Sequence, residues 1–345
     1  MLTIAEYVHK AKIRLREEKY RRLVFGNEAC DLDSFSCSLA YAFLADVADG
    51  QTNDLHSASI PVLSIEREDL RLRPEHQWLM RQTGINSSDL IFLDDIVDVK
   101  ECDVTLVDHN VLPQCLKHVG RVSAIIDHHA DEGSYHNANP RIITPSGSCT
   151  SLVVEHFERE LHTATKSLKL LLLAAIHIDT QYMTNRVTEH DRSAVRILQH
   201  PFDKDFYTGL VKAKQETKGM SIRDILRRDY KEFEPGTTKV GMSAITESLQ
   251  TCTSSKDWYS ECQKWIRERA LLLHIVTTTT GSGQDFAREI LIWSSDSNFF
   301  EKFEVAGQEL HLSKLSCPAD WAAWKQENVQ ASRKQIAPIV KSILS

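Results

Sequence analysis

Aspartate and histidine gather at four places where apolar runs end. Leu23-Val24-Phe25 leads into Gly26-Asn27-Glu28-Ala29-Cys30-Asp31-Leu32-Asp33-Ser34, with Asp31 and Asp33 two residues apart in a tight loop ahead of a helix. Leu106-Val107 leads into Asp108-His109-Asn110, and Ile125-Ile126 into Asp127-His128-His129. The apolar stretch 170–178 leads into Asp179-Thr180. A lone aspartate after a strand is most simply a helix cap. Several carboxylates mixed with imidazoles ask for more, because buried carboxylates repel one another unless cations lie between them. Aspartates with one or two histidines suit a pair of hard or borderline divalent ions such as Mn2+, Mg2+ or Co2+, and are too rich in oxygen for structural zinc. Two such ions sharing a carboxylate and a water would lower that water's pKa and offset charge growing on a phosphoryl group.

The elements that must carry these residues alternate. Residues 1–20 have the periodicity of an amphipathic helix. Strands are expected over 23–25, 60–65, 90–93, 104–107 and 122–126, with a further one over 141–143. Helices are expected over 34–47, capped by Ser34, and over 148–161 and 166–178. This β/α alternation implies a doubly wound, mainly parallel sheet, in which ligands gather at the carboxyl ends of strands. The polar stretch around Pro201 reads as a linker. The expected division is a first domain over 1–195, a linker over 196–220, and a smaller α/β domain over 221–345 with strands at 238–245, 271–277, 289–293 and 308–312.

Length and charge narrow the choices. A chain of 345 residues that is 42% hydrophobic and 26% charged can build about two domains with sizeable cores. A net charge of −7 provides no general basic field for a nucleic-acid duplex, so an anionic substrate needs a local basic patch or a metal. The eight cysteines (Cys30, Cys37, Cys102, Cys115, Cys149, Cys252, Cys262 and Cys317) form no CxxC pair and suit reduced thiols. Residues 1–6 lack the apolar core of a signal peptide, and the longest apolar run, 170–176, is too short for a bilayer. No membrane association and a cytoplasmic location are expected.

In this order the four motifs resemble those of the DHH phosphoesterase superfamily. They are most similar to the branch holding fungal exopolyphosphatases, prune proteins and family II inorganic pyrophosphatases. Arg228-Asp229-Tyr230-Lys231-Glu232-Phe233 resembles that branch's lysine motif, and Ser332-Arg333-Lys334, followed by Pro338, its terminal signature. Residues 64–73 resemble a loop of the exopolyphosphatases and prune proteins. The resemblance implies that Asp31 binds one metal, Asp33 the other, and Asp108 bridges them, with His128 and Asp179 completing the coordination of the second metal. It further implies that His129 contacts substrate and helps protonate the leaving oxygen, and that Lys231, Arg333 and Lys334 bind phosphate in a cleft between the domains.

Asn27, placed among the substrate-binding positions, departs from the histidine ligand of the pyrophosphatases and follows the exopolyphosphatase and prune pattern. His129 is kept where vertebrate prune sequences carry arginine. The implied function is exopolyphosphatase action on inorganic polyphosphate. The alternatives are a prune-like short-chain polyphosphatase or nucleotide phosphodiesterase, a pyrophosphatase, and an interaction protein with a vestigial site. Around the motifs, simpler roles are expected. His109 orients Asp108, Asp127 holds an imidazole, and Ser148 caps a helix. Asp94 and Asp95 are caps or supporting groups, and His177 packs within its apolar helix.

Overall fold

The computed structural model describes residues 2–17, 22–50, 58–96, 99–112, 116, 120–281 and 285–344. It divides into two units, Met1–Glu216 and Thr217–Ser345. In the first unit α1 (Ile4–Arg16) is capped reciprocally by Thr3 and Glu6. There follow β1 (Arg22–Phe25), α2 (Leu32–Ala48), β2 (Ser59–Val62), α3 (Pro74–Thr83), β3 (Asp103–Val107), β4 (Arg121–Asp127) and β5 (Arg141–Ile143). The helices α4 (Cys149–His156), α5 (Glu158–Leu161), α6 (Lys166–Asp179), α7 (Glu189–Leu198) and α8 (Lys204–Gln215) complete it.

The five strands form an all-parallel sheet in the order β2-β1-β3-β4-β5. Alternation along the strands fills both faces. Leu23 and Phe25 pack with Ile60, Val62, Val104, Leu106 and Ile125. Val24, Val107, Ala124 and Ile126 face the other cluster, which holds the buried residues of α2, α4 and α6. The chain leaves β1 to one side for β2 and later returns to the other for β3, so the strand order reverses at β1. Phe25 aligns with Leu106 across that reversal, and Val107 with Ile126 on the next pair. The first three carboxylate motifs therefore leave adjacent strands at one edge, where open α/β sheets place their ligands.

Several local expectations are corrected. Residues 90–93 make no strand: Phe92 forms a single parallel bridge with Leu63, and Leu93–Asp95 is a 3-10 turn. The cap of α2 is Asp31, whose Oδ1 accepts from Ser34 N, so Ser34 lies within the helix. The expected helix over 148–161 breaks at Phe157, whose φ of −109° departs from helical values. Residues 196–220 contain α8, whose Leu210 is fully buried in the core of the first unit.

The second unit contains α9 (Ile222–Arg228), β6 (Tyr230–Phe233), β7 (Val240–Ile245), α10 (Leu249–Thr253), α11 (Trp258–Glu268), β8 (Leu273–Thr278), β9 (Arg288–Ser294), α12 (Phe299–Ala306), β10 (Leu312–Leu315), β11 (Trp321–Gln326) and α13 (Arg333–Leu344). Its mixed sheet runs β10-β11-β9-β8-β7-β6, with only β7 and β8 parallel. The strand expected over 308–312 is instead a 3-10 turn, Gln308–Leu310, followed by β10. Cys115 lies outside the described residues; the other cysteines are free thiols. Among the described residues, no helix is long and apolar enough to cross a membrane.

Candidate active site

β3 delivers Asp108 in an unusual backbone state. Its φ is +63°, a left-handed conformation that a non-glycine residue adopts at a cost and that recurs at functional sites. Its amide donates to Ile126 O at 2.9 Å, so the turn is tied to the end of β4. Asp108 is 1% exposed. Oδ2 accepts from Asn27 Nδ2 at 2.7 Å and from Ser34 Oγ at 2.8 Å. Oδ1 has no hydrogen-bond partner among the described residues, although it is buried. It lies 3.2 Å from His128 Nε2 and 3.7 Å from His129 Nδ1.

The His128 tautomer follows from its other nitrogen. Nδ1 is 3.1 Å from Ser146 O, and a carbonyl can only accept, so Nδ1 carries the hydrogen. In the neutral ring Nε2 then presents a lone pair towards Asp108 Oδ1. Two electron-pair donors thus meet in a buried place, which is the arrangement a divalent cation relieves. Asp108, His128 and His129 bring one donor atom each to within 4.8 Å of one another. Their mixed oxygen and nitrogen set fits Mn2+, Mg2+ or Co2+.

Charge at this edge is unbalanced. Burial, with the negative charges of Asp31 and Asp33, pushes the Asp108 carboxyl up to about 6 against the pull of His128. Burial, then Asp33 and Asp31, raises Asp179 well above the carboxylate range. An Asp108 pKa raised to about 6 favours the folded state fully below the ordinary carboxylate pKa, and that contribution is lost as pH rises through 6. A divalent cation is therefore expected to raise the thermal midpoint more at pH 8 than at pH 5. Differential scanning fluorimetry with Mn2+ checks this, and an equal shift at both values would contradict it.

Asp127 is a support, as the sequence suggested. Its Oδ1 accepts from His128 N at 2.7 Å, His129 N at 3.1 Å and His129 Nδ1 at 2.7 Å, and its Oδ2 accepts from Asn110 Nδ2 at 2.5 Å. Burial opposes ionisation, but these bonds, led by that from His129, outweigh it and hold the carboxyl down to about 2. His109 directly follows Asp108 in the chain. Its Nδ1 turns back to Val107 O at 3.0 Å, which restricts the ring.

The other expected ligands surround this centre without joining the three-residue group. Asp31 is half-buried at the cap of α2. Asp33 Oδ1 accepts from Ser148 Oγ, Thr150 N and Thr150 Oγ1, and Oδ2 from Cys149 N at 2.7 Å. The start of α4 thus grips Asp33, and Ser148 caps that helix as expected. Burial works against the Asp33 charge, yet the nearby His128 and these donors lower its pKa. Asn27, expected at a substrate-binding position, faces inward. Its Nδ2 bonds Asp108, and its Oδ1 accepts from Ala29 N and Cys30 N at 2.9 and 3.1 Å. One end of the amide is therefore used within its own loop and the other on Asp108. Gly26 permits this approach, since a Cβ there would lie 2.9 Å from Ser34 O.

Sequence reasoning missed several supporting residues. Asn110 ties the second motif to the third through Asp127 and Ala130 O. Buried Asp191, on α7, accepts from the amides of Gly147 and Ser148 and so fixes the entry to α4. Gly147 has no room for a Cβ, which would lie 2.7 Å from Thr180 Cγ2. Only the polarity of Asn110 within its motif gave any hint. In the second unit Lys231, on β6, and Lys334, on α13, are exposed. Arg333 donates to Asp229 O at 2.9 Å and to Asp229 Oδ1 at 2.5 Å, which brings the start of α13 to the residue before β6.

Comparison with known proteins agrees in both units. The model of the DHH family N-terminal domain matches residues 21–176, and that of the DHHA2 domain matches residues 208–343. A Schizosaccharomyces pombe protein named as a candidate exopolyphosphatase is 31% identical, over 92% of this chain and 89% of its own. Exopolyphosphatase PRUNE1 of Mus musculus is 26% identical, over 99% of this chain and 79% of its own. Among solved structures, a Methanococcus jannaschii protein named as a candidate family II inorganic pyrophosphatase superposes with a TM-score of 0.67 at 20% identity, covering 94% of this chain and 99% of that one, a likeness of fold. With aspartate and histidine brought together at one sheet edge, and with matches that run through both units, the chain belongs to the DHH phosphoesterase superfamily, in its exopolyphosphatase and prune branch.

Proposed function

We propose that this protein is a metal-dependent hydrolase of phosphoanhydrides that releases terminal phosphate from linear inorganic polyphosphate. The observation that carries the reading is the buried Asp108 Oδ1, without a hydrogen-bond partner among the described residues and 3.2 Å from His128 Nε2 at the carboxyl edge of the parallel sheet. The similarity to a candidate exopolyphosphatase over nearly the whole chain supports the substrate class.

Asp108 and His128, together with Asp31, Asp33 and Asp179, are the residues to hold two divalent cations. Bound there, such cations supply Lewis acidity, which makes water a better nucleophile and offsets charge on the transferring phosphoryl group. Asp127 keeps both imidazoles in place through its bonds to the His129 ring and to the two backbone amides. The more exposed ring of His129, 28% against 6% for His128, contacts substrate and gives a proton to the leaving oxygen. Lys231, Arg333 and Lys334 bind phosphate groups, with the Arg333 fork suited to paired oxygens and the lysines acting as point charges. Water attacks the end phosphorus in line, and the shortened chain leaves.

The test is a panel of pyrophosphate, tripolyphosphate, long polyphosphate and a cyclic nucleotide, each with Mg2+, Mn2+ and Co2+. The reading predicts orthophosphate release that is fastest on linear polyphosphates. A preference for the cyclic nucleotide would contradict it, and inactivity with every ion would favour an interaction protein. Lys334→Ala is expected to raise KM for tripolyphosphate about tenfold, with kcat within about twofold, because one exposed phosphate contact is lost. An unchanged KM would remove Lys334 from the substrate site.

A further inference from the structure

We infer that Arg73, backed by His76, is the positioning residue that fixes the loop aiming Asn27 and Asp31, an inference that rests on the cation-binding reading of the site. Arg73 directly precedes α3 and is 5% exposed. It donates through NH2 to Ala29 O at 2.6 Å and through Nε to Cys30 O at 3.3 Å. His76 is fully buried, and its Nε2 lies 2.9 Å from the same Cys30 carbonyl. That carbonyl can only accept, so Nε2 carries the hydrogen. The His76 ring packs on Phe35 of α2 with centroids 4.5 Å apart, which fixes where the donor points.

The loop is held from both sides. Asn27 Oδ1 takes the N–H groups of Ala29 and Cys30, and Arg73 and His76 take their carbonyls. What this grip secures is a strained turn, since Cys30 has a φ of +44°. A non-glycine residue in that region is strained and persists only where its surroundings impose it. The next residue is Asp31. Across the same turn, Asn27 sends Nδ2 to Asp108 Oδ2. A shift of the Cys30 carbonyl would therefore move Asp31 and loosen the bond that leaves Asp108 Oδ1 facing the imidazoles.

Arginine is the residue this task needs. Its planar fork spans two successive carbonyls, whereas lysine offers one point of attachment. Among the described residues Arg73 has no ion-pair partner, so its buried charge is spent on main-chain oxygens. A buried guanidinium without a carboxylate is a costly way to stabilise a fold, which favours a role in aiming the loop.

The test uses the full chain and compares wild type with Arg73→Lys and His76→Phe. Mn2+ binding is followed by electron paramagnetic resonance, amide exchange over residues 29–31 by mass spectrometry, and kcat and KM on tripolyphosphate by phosphate release. Arg73→Lys is expected to weaken Mn2+ binding about tenfold, as removal of a group supporting a ligand does. It should also speed exchange in the loop and lower kcat, with KM nearly unchanged. His76→Phe keeps a ring against Phe35 and removes the donor, and it should do the same to a smaller extent. Wild-type Mn2+ affinity in a folded variant of either kind overturns the inference. If wild type itself binds no Mn2+, the reading of the site fails first, and the two failures are thereby told apart.

Discussion

Asp108→Asn is expected to lower kcat by about 1,000-fold, on the order of 4 kcal/mol of transition-state stabilisation, while the metal-free fold is retained or strengthened. The geometry fixes how the amide would sit. Ser34 Oγ and Asn27 Nδ2 both donate to Oδ2, so the amide oxygen takes that place and the NH2 group takes the place of Oδ1. There it faces the lone pair of His128 Nε2 at 3.2 Å and closes off the position where a cation would bind. Asparagine tolerates the left-handed backbone at φ +63°, so the turn survives. Removing a carboxyl whose pKa burial pushes up to about 6 also removes a penalty at neutral pH. Thermal melts should therefore show a midpoint at or above wild type and no response to Mn2+. Turnover within a few-fold of wild type would exclude Asp108 from the chemistry.

Asp127→Asn is expected to lower kcat about 100-fold without touching a substrate contact, the effect reported for groups that orient metal ligands. Every partner of this carboxylate is a donor: two amides and a ring N–H on Oδ1, and the Asn110 amide on Oδ2. An asparagine must turn its own NH2 towards one of them. If the amide faces Asn110, the tie between the second and third motifs breaks. If it faces His129, the imidazole is driven from its tautomer and position. The unsatisfied buried donor costs roughly 1–3 kcal/mol of stability. Steady-state kinetics and a urea melt separate the two effects. A variant that loses stability but keeps kcat would show that Asp127 serves the fold alone.

The sequence disclosed these carboxylates because each follows an apolar run, and buried parallel strands have that signature. The bond network was far less legible. Ser34 reads as a helix cap beside its neighbours, but Asp31 is the cap, and Ser34 is drawn to Asp108, far along the chain. Asn27 reads as a weak ligand in place of histidine, yet the fold uses its amide to join a loop to a carboxylate. Arg73 ends the stretch 64–73 and His76 lies just beyond it, and only tertiary packing brings them to the carbonyls of residues 29 and 30. Residues 90–93 show the opposite failure. Their apolar run has the composition of a buried strand, but the backbone makes one bridge and then tightens into a turn. Composition reports burial, and hydrogen bonding decides the element.

The most direct test of the account is anomalous diffraction at the manganese edge from crystals grown with Mn2+. The account predicts a peak within bonding distance of both Asp108 Oδ1 and His128 Nε2. Manganese bound only elsewhere, with those two atoms left facing each other, would contradict it.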